Sequence, residues 1–414
     1  MTVGIVGMGY VGLPLAVAFA QVGHRVIAMD VDPRKVAALE AAESYIEDIP
    51  SAELEAVRGL LEPTTRVGPL AHADAVLLCV PTPLTPNREP DLGALLDATR
   101  SLARVLRAGQ LVVLESTSYP GTTRERLLPL LEESGLAAGS DFSLAHSPER
   151  VDPGREDFTI RTTPKVVGGL TEVCTQRAVE LYETVCDQVV PVATPEVAEL
   201  TKLLENIFRS VNIALVNELA ILADRMGIDI WEVVDAASTK PFGFMRFEPG
   251  PGMGGHCLPV DPFYLAWRAR EFDFPTEFIE LAGKVNMQMP YHCVEKIERA
   301  LNDAGQSVKG ARIALLGVSY KAGIGDLREA PALKILRLLA DRGADLVYHD
   351  PHVPELPLGM RSVTLSEALD GADLAVIVTA HPEIDLQAVI RAVPRVVDLR
   401  GVTRKTPAPS VERL

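Results

Sequence analysis

The sequence predicts an α/β protein made of two Rossmann-like domains with parallel sheets, joined by a central helical region. Three observations predict it. Short apolar, β-branched runs alternate with helical patterns from the first residues onward. A long periodic helical stretch interrupts that rhythm mid-chain, and the rhythm restarts after residue 300. The expected domains are 1–193, 194–300 and 301–414. A chain of 414 residues exceeds one ordinary core, so more than one domain is required.

The elements follow in order. Val3 to Val6, Arg25 to Met29, Ala75 to Val80 and Leu111 to Glu115 read as strands bounded by turn residues. Leu13 to Val22 and Leu92 to Leu106 carry helical patterns between them, which implies a parallel sheet covered on both faces. Thr194 offers an N-cap, Pro195 the first helical position and Gly227 a stop, so a helix is expected to run to about Met226. Its apolar positions, from Val197 through Leu200, Leu203 and Leu204 to Val211, recur at helical spacing. Such a helix can join two domains or form a dimer interface; an internal core helix fits the pattern equally well. Further strands are expected at Arg312 to Leu316, Leu346 to His349, Leu374 to Val378 and Val396 to Leu399, with a helix near Ala332 to Leu339. The polar, proline-containing tail after about Thr403 is expected to be loosely ordered.

Composition narrows the function classes. The net charge of −16 argues against general affinity for nucleic acid or anionic membrane, although a few placed Arg, Lys or helix N-termini can still bind a phosphate. No segment reads as an uninterrupted membrane-spanning apolar run, and the N-terminus lacks the basic region of a signal peptide. The five cysteines lack paired spacing, which fits reduced thiols, and no Cys-x-x-Cys or His-x-x-x-His spacing suggests a metal site. A cytoplasmic protein without metal, nucleic-acid or membrane partners is expected.

Gly7-Met8-Gly9-Tyr10-Val11-Gly12 follows a predicted strand and opens a predicted helix, and a second strand ends at Asp30. Glycines there permit a tight turn and close backbone approach to a pyrophosphate at the helix N-terminus. Asp30 can accept hydrogen bonds from ribose hydroxyls and would repel a 2′-phosphate, so NAD is expected over NADP. A glycine turn needed only for packing is the alternative.

Gly250-Pro251-Gly252-Met253-Gly254-Gly255-His256-Cys257 is the most unusual segment. Its glycines let backbone approach a ligand and would leave the thiol in a turn. Cys79 reads instead as a small buried hydrophobe within the strand-like run Ala75 to Val80, and Cys174, Cys186 and Cys293 fall in helical patterns. A loop thiol beside a nicotinamide cofactor has a natural joint chemistry. An alcohol is oxidised to an aldehyde, the thiolate adds, the thiohemiacetal gives up a second hydride, and the thioester is hydrolysed.

These residues carry a resemblance. The chain resembles the UDP-glucose/GDP-mannose dehydrogenase family over nearly its whole length, through seven ordered segments. They are Gly7–Gly12, Val80-Pro81-Thr82-Pro83, Glu115-Ser116-Thr117, Ser147-Pro148-Glu149-Arg150, Glu199 to Asn206, Gly252 to Asp261, and Tyr320-Lys321 with Asp326 to Glu329. The resemblance implies an NAD domain, a central helical dimerisation region and a UDP-sugar domain, assembled as a homodimer or higher homo-oligomer. It implies Cys257 as nucleophile, and Lys202 with Asn206 stabilising charge at the C6 oxygen. On residues alone, Lys202 in an apolar stripe reads as a snorkelling surface lysine. Asp261 matches an active-site aspartate partnering Lys202 or the base chain. Glu149 matches the carboxylate that activates water for hydrolysis, and Thr117 a threonine near the nicotinamide. Tyr10, Val11, Lys35, Thr82 and Arg328 join the glycines and Asp30 as NAD contacts. Lys321, Gly254 and the loop Arg246, Phe247 to Gly250 join Glu149, Arg150, Lys202 and Asn206 as UDP-sugar contacts.

Two departures refine the expectation. Pro153 stands where many UDP-glucose enzymes carry a second acidic residue, and Val260 replaces a lysine common there, which puts that cofactor contact in doubt. Ser147 to Gly154, Gly254 to Tyr264 and Phe278 to Gly283 look like the branch acting on UDP-N-acetylhexosamines. The expected activity is therefore four-electron oxidation of a UDP-sugar at C6. UDP-N-acetylglucosamine is placed first, with the N-acetylmannosamine, N-acetylgalactosamine and glucose counterparts as alternatives. A two-electron hydroxyacid dehydrogenase and a non-catalytic NAD sensor are the rival classes.

Overall fold

The computed structural model describes residues 1–46, 49–85, 87–151, 158–255, 257–357, 359–406 and 408–414, and of Cys257 the backbone alone. The chain divides into two compact units. The first holds Met1–Glu205 with Phe263–Pro275, and the second Asn206–Pro262 with Thr276–Leu414.

The first unit is built on an eight-stranded sheet of β1 (Thr2–Val6), β2 (Arg25–Met29), β3 (Leu61–Thr64), β4 (Ala75–Leu78), β5 (Leu111–Leu114), β6 (Ser143–His146), β7 (Lys165–Gly169) and β8 (Val189–Val192). Its order is β3-β2-β1-β4-β5-β6-β7-β8. The first six strands run parallel, as the alternating pattern predicts. β7 then reverses against β6, and β8 returns parallel to β7. Side chains such as Val3, Ile5, Leu13, Leu15, Ala75, Leu77 and Val113 pack into one core. The alternation along β1 puts Gly4 on the other face, where a Cβ would stand 2.6 Å from the Leu70 side chain.

The second unit carries a five-stranded, wholly parallel sheet of β9 (Arg312–Leu316), β10 (Asp345–His349), β11 (Leu374–Ile377), β12 (Val396–Asp398) and β13 (Val411–Arg413). Its order is β10-β9-β11-β12-β13. Ile313 and Leu315 face a core filled by the helices Glu277–Asn302 and Pro331–Asp341, whereas Ala314 and Leu316 face a second cluster around Ala368, Ile384 and Val389. Both faces are covered, as a parallel sheet requires.

The two sheets open alike. Gly7 and Gly317 each leave a first strand at positive φ, at 96° and 75°. Gly7 N donates to Met29 O at 2.8 Å, and Gly317 N to His349 O at 2.9 Å. Met8 N then donates to Asp30 Oδ2 at 2.8 Å, as Val318 N does to Asp350 Oδ2 at 2.7 Å. They diverge at the aspartate. Asp30 pairs with Lys35, whereas Asp350 is sealed by the wholly buried His381 at 3.0 Å.

Two expectations are corrected. The tail after Thr403 is not loose: β13 pairs with β12, and the Leu414 carbonyl accepts from Trp231 Nε1 at 3.0 Å. Cys186 lies just beyond the helix Glu172–Tyr182 rather than within it. The helix Pro195–Met226 is, by length and composition alone, long and apolar enough to cross a membrane, with mean hydropathy 1.2 over its most apolar window. Its apolar residues serve two faces at once. Ala198 and Leu203 are buried while Leu200, Leu204 and Phe208 are exposed.

Candidate active site

The cradle at the start of the first unit shows why each glycine stands where it does. A Cβ on Gly12 would lie 1.8 Å from Gly7 O, and one on Gly7 would lie 2.6 Å from Cys79 O. Those two are demanded by strand–helix packing. Gly9 is not, because among the described residues nothing beyond its chain neighbours lies within 4 Å of its would-be Cβ. Its bareness leaves open space at the start of the helix Gly12–Gln21, where the positive end of the helix dipole favours a phosphate. Val11 is the N-cap residue of that helix, and Tyr10 beside it is about half exposed.

Asp30 closes the cradle from β2. Its Oδ1 accepts from Asp32 N at 2.9 Å, and its Oδ2 accepts from Met8 N at 2.8 Å and from Lys35 Nζ at 2.9 Å. A carboxylate offers about four lone-pair sites, so acceptor capacity remains for a ribose. Beyond β4, Thr82 Oγ1 donates to Thr117 O at 2.8 Å, and Tyr264 Oη donates to Thr82 O at 2.5 Å. The first bond ties the loop after β4 to the loop after β5, and the second anchors the loop after β4 to Tyr264. The residues fit a dinucleotide.

At the carboxyl ends of β5 and β6 lies a buried charge cluster. Glu149 Oε1 accepts from Arg150 N and Val151 N, both at 2.7 Å, and its Oε2 lies 3.3 Å from Lys165 Nζ. Lys165 sits 2.8 Å from Glu115 Oε2, and Tyr182 Oη donates to the other oxygen of Glu115. Burial alone would raise the Glu149 carboxyl. The Lys165 ammonium, the Val151 amide and the Lys202 ammonium outweigh it and hold it below the usual carboxylate range. Burial wins at Glu115, which is raised. Breaking a buried pair of this kind by removing one partner typically costs about 3–5 kcal/mol.

Lys202 projects from the long helix as a largely buried lysine, and within its unit no described carboxylate lies within ion-pair distance of it. Burial, with the Lys202 and Lys165 ammonium groups, drives His146 down to about 3, so that imidazole is neutral. Three residues earlier on the same helix, Glu199 accepts from Gly121 N at 2.6 Å and from Thr123 N at 2.8 Å. The Glu149 neighbour Arg150 spends its guanidinium on Glu205 at 2.6 Å and on Pro164 O at 2.6 Å.

The second unit holds the remaining candidates. Asn206 Nδ2 donates to the buried Asp261 Oδ2 at 2.6 Å. The Cys257 backbone begins the helix Cys257–Ala269, where the sequence predicts a turn. The glycine run before it packs closely on its surroundings: a Cβ on Gly254 would stand 2.4 Å from Tyr320 Cβ, and one on Gly255 3.0 Å from the Tyr320 ring. Gly255 N also donates to Arg328 O at 2.8 Å, tying the thiol segment to the Asp326–Glu329 turn. Arg328 itself forks onto Asp326 at 2.6 Å. Lys321 is held through its carbonyl by Ser319 Oγ at 2.8 Å. Arg246 pairs with Asp235 and Glu248 at 2.7 and 2.8 Å, and Phe247 packs edge-on against Phe208.

The candidates thus gather in two sets. Gly7, Gly9, Gly12, Asp30, Lys35, Thr82, Thr117, Glu149, Arg150 and Lys202 belong to the first unit, and Asn206, Gly250, Gly254, Asp261, Lys321 and Arg328 to the second. Pro153 lies outside the described residues, as do His256 and the thiol of Cys257. Sequence reasoning passed over Lys165, Tyr182 and Arg400. The Arg400 guanidinium stands against Gly250, 2.6 Å from where a Cβ would be. Nothing in the local pattern marks these three, because their significance comes from contacts distant in sequence.

A parallel sheet in the order 3-2-1-4-5-6, with a bare glycine at the first helix start and an acidic residue ending the second strand, defines an NAD-binding dehydrogenase. The chain belongs to the UDP-glucose/GDP-mannose dehydrogenase family. It matches the family's NAD binding domain over residues 1–186, its central domain over 196–288 and its UDP binding domain over 314–405. It is 38% identical to a UDP-N-acetyl-D-mannosamine dehydrogenase of Pyrococcus horikoshii, over 92% of this chain and 90% of that one. An NDP-N-acetyl-D-galactosaminuronic acid dehydrogenase of Ralstonia solanacearum is 36% identical over 97% and 96% of the two chains. The solved UDP-N-acetyl-D-mannosamine dehydrogenase structure from Pyrococcus horikoshii superposes with TM-score 0.92 at 33% identity, covering 100% of this chain and 99% of that one. The protein is an NAD-dependent UDP-sugar dehydrogenase.

Proposed function

We propose that the chain oxidises the C6 primary alcohol of a UDP-N-acetylhexosamine to the carboxylate, in two successive oxidations through a covalent bond to Cys257. The observation that carries this reading is Glu149, a carboxylate held ionised in the same unit as the dinucleotide cradle. A dehydrogenase that stops at the aldehyde has no use for a hydrolytic base; one that passes through a thioester does.

NAD, held by Gly7 to Gly12, Asp30, Lys35 and Thr82, supplies the hydride acceptor for both oxidations. Lys202 and Asn206, one turn apart on one helix, donate to the C6 oxygen as it gains negative charge. Asp261 orients the Asn206 amide. The Cys257 thiolate adds to the aldehyde carbon. Glu149 then takes a proton from water as the water oxygen bonds to the thioester carbon. The C–S bond breaks and sulfur leaves as thiolate.

Sequence reading places UDP-N-acetylglucosamine first. The relatives named for N-acetylmannosamine and N-acetylgalactosaminuronic acid support moving UDP-N-acetyl-D-mannosamine to the head of the panel. The test is to incubate the enzyme and Cys257→Ala with NAD and each UDP-sugar, counting NADH and identifying the acid by mass. Two NADH per sugar and no acid from the variant are expected. One NADH per sugar with a fully active variant would overturn the reading. Self-association belongs to the same proposal, supported by exposed Leu200, Leu204, Leu215, Leu219 and Leu222 along one helix. A monomer in sedimentation at micromolar concentration would contradict it.

A further inference from the structure

The Glu115–Lys165–Tyr182 cluster is buried, charged and not used by the chemistry above. Its position has a topological cause. β7 is the strand that reverses: His146 of β6 pairs with Gly168 of β7, and continuing that antiparallel register three residues sets Glu149 opposite Lys165. A parallel β7 would have carried the first residue of the strand to the far end of the sheet. Pro164, just before Lys165, is pinned by Arg150, whose own amide binds Glu149. The lysine and the carboxylate are therefore fixed to each other from both sides.

We infer that Lys165 is the positioning residue for the hydrolytic half of the reaction, shared between Glu115 and Glu149 so that Glu149 stays aimed and anionic in a buried place. The inference rests on the proposed thioester chemistry. Lys165 Nζ spans the two carboxylates at 2.8 and 3.3 Å, with its own side chain 5% exposed. Tyr182 Oη donates to the far oxygen of Glu115, which leaves that carboxylate acceptor-only towards the lysine. The ring of Tyr182 also lies under the ammonium, 5.2 Å from Nζ to its centroid. Lys165 is held strongly protonated by Glu115 and Glu149 against its burial.

Other groups also face Glu149. Lys202 lowers it from the long helix, and Glu115 opposes from the end of β5. The Cys79 and Cys186 thiols are both pushed up by burial, and His146 is neutral. Among these, Lys165 is the cation in direct contact. Without it, burial dominates and Glu149 takes up a proton. Without Glu115, the whole ammonium falls to Glu149, which then holds its charge to lower pH.

Water gives one proton to Glu149 and its oxygen to the acyl carbon, and the Cys257 sulfur departs with the C–S electron pair. Glu149 and the product acid then each release a proton to solvent, which leaves the carboxylate product, the Cys257 thiolate and an ionised Glu149.

The experiment uses the full-length enzyme with NAD and its UDP-sugar, measuring the NADH burst, steady-state rate, intact mass and pH profile. In Lys165→Met we expect a burst of two NADH per site, then a steady rate lower by about 100-fold or more. The stalled protein should carry an acyl mass on Cys257, and Lys165→Arg should restore turnover. The acid limb of the profile should rise in Lys165→Met by about one pH unit or more and fall in Glu115→Gln. Opposite shifts are not expected of a merely structural cluster, and Glu115→Gln keeps the test alive should Lys165→Met fail to fold. Limbs that move together, or not at all, or a Lys165→Met enzyme that loses burst and hydrolysis equally, would overturn the inference. If the wild type yields only one NADH per sugar, it is the functional reading that fails.

Discussion

Asn206 donates a 2.6 Å hydrogen bond to Asp261, whose side chain is fully buried. The Asp261 oxygen accepts that bond, so it decides which end of the Asn206 amide faces it and leaves the second N–H for another acceptor. Asp261→Asn keeps the size but can bond in either amide orientation. We expect kcat to fall roughly 10- to 100-fold with KM little changed, the signature of a donor lost from the transition state. Steady-state kinetics on both variants, Asp261→Asn and Asn206→Ala, checks it. A change in KM alone would contradict the orienting role.

Gly9 and Gly12 make opposite predictions from one motif. Gly12→Ala forces a Cβ to within 1.8 Å of Gly7 O and should lower the melting temperature by several degrees. Gly9→Ala meets nothing within 4 Å among the described residues beyond its chain neighbours, so the melting temperature of the free enzyme should hardly move. Its methyl instead enters the space left for the pyrophosphate, and NAD affinity should fall at least about tenfold. Calorimetry of the free protein and NAD titration separate the two effects.

How much was legible in the sequence follows from these same residues. β1, β2 and β9, with the glycine turn after β1, were readable because each strand is a short apolar run bounded by turn residues. β3 and β8 were not: Pro63 and Pro191 sit in edge strands, where a missing N–H is tolerated but the strand pattern is broken. β7 opens on Lys165 and closes on two glycines, so nothing local marks it as a strand, still less a reversed one. The tail was misread because its order comes from Trp231 and β12, far away in sequence. Candidate residues were legible where motifs carried them. The partners that set their charge, Lys165 and Tyr182, were not.

Asp30 serves the protein and the cofactor together. Its Oδ2 holds Met8 N and Lys35, and its Oδ1 holds Asp32 N. Asp30→Ala should therefore raise the NAD dissociation constant about 10- to 100-fold and also destabilise the free enzyme, by roughly 1–3 kcal/mol for the stranded Met8 amide. It should narrow the preference for NAD over NADP as well, because the carboxylate no longer repels a 2′-phosphate. Titration with both dinucleotides tests this. An unchanged NAD:NADP ratio would show that selectivity is set elsewhere.

Glu199 gives the chain a pH dependence of stability that can be isolated. Burial raises its carboxyl to about 7, against the donors Thr123 and Gly121 that favour the anion. With the folded value above the unfolded one, the folded state holds a proton that the unfolded state has released. Stability from this group is complete below about pH 4.5 and is lost as pH rises through about 7. The loss over that window is roughly 3 kcal/mol at most. Glu199→Gln is neutral throughout and can still accept from Thr123. Wild type should accordingly lose stability relative to Glu199→Gln between pH 5 and pH 8, as read by urea melts of both proteins. Parallel curves across that range would mean that the hydrogen bonds from Gly121 and Thr123 keep Glu199 ionised in the fold.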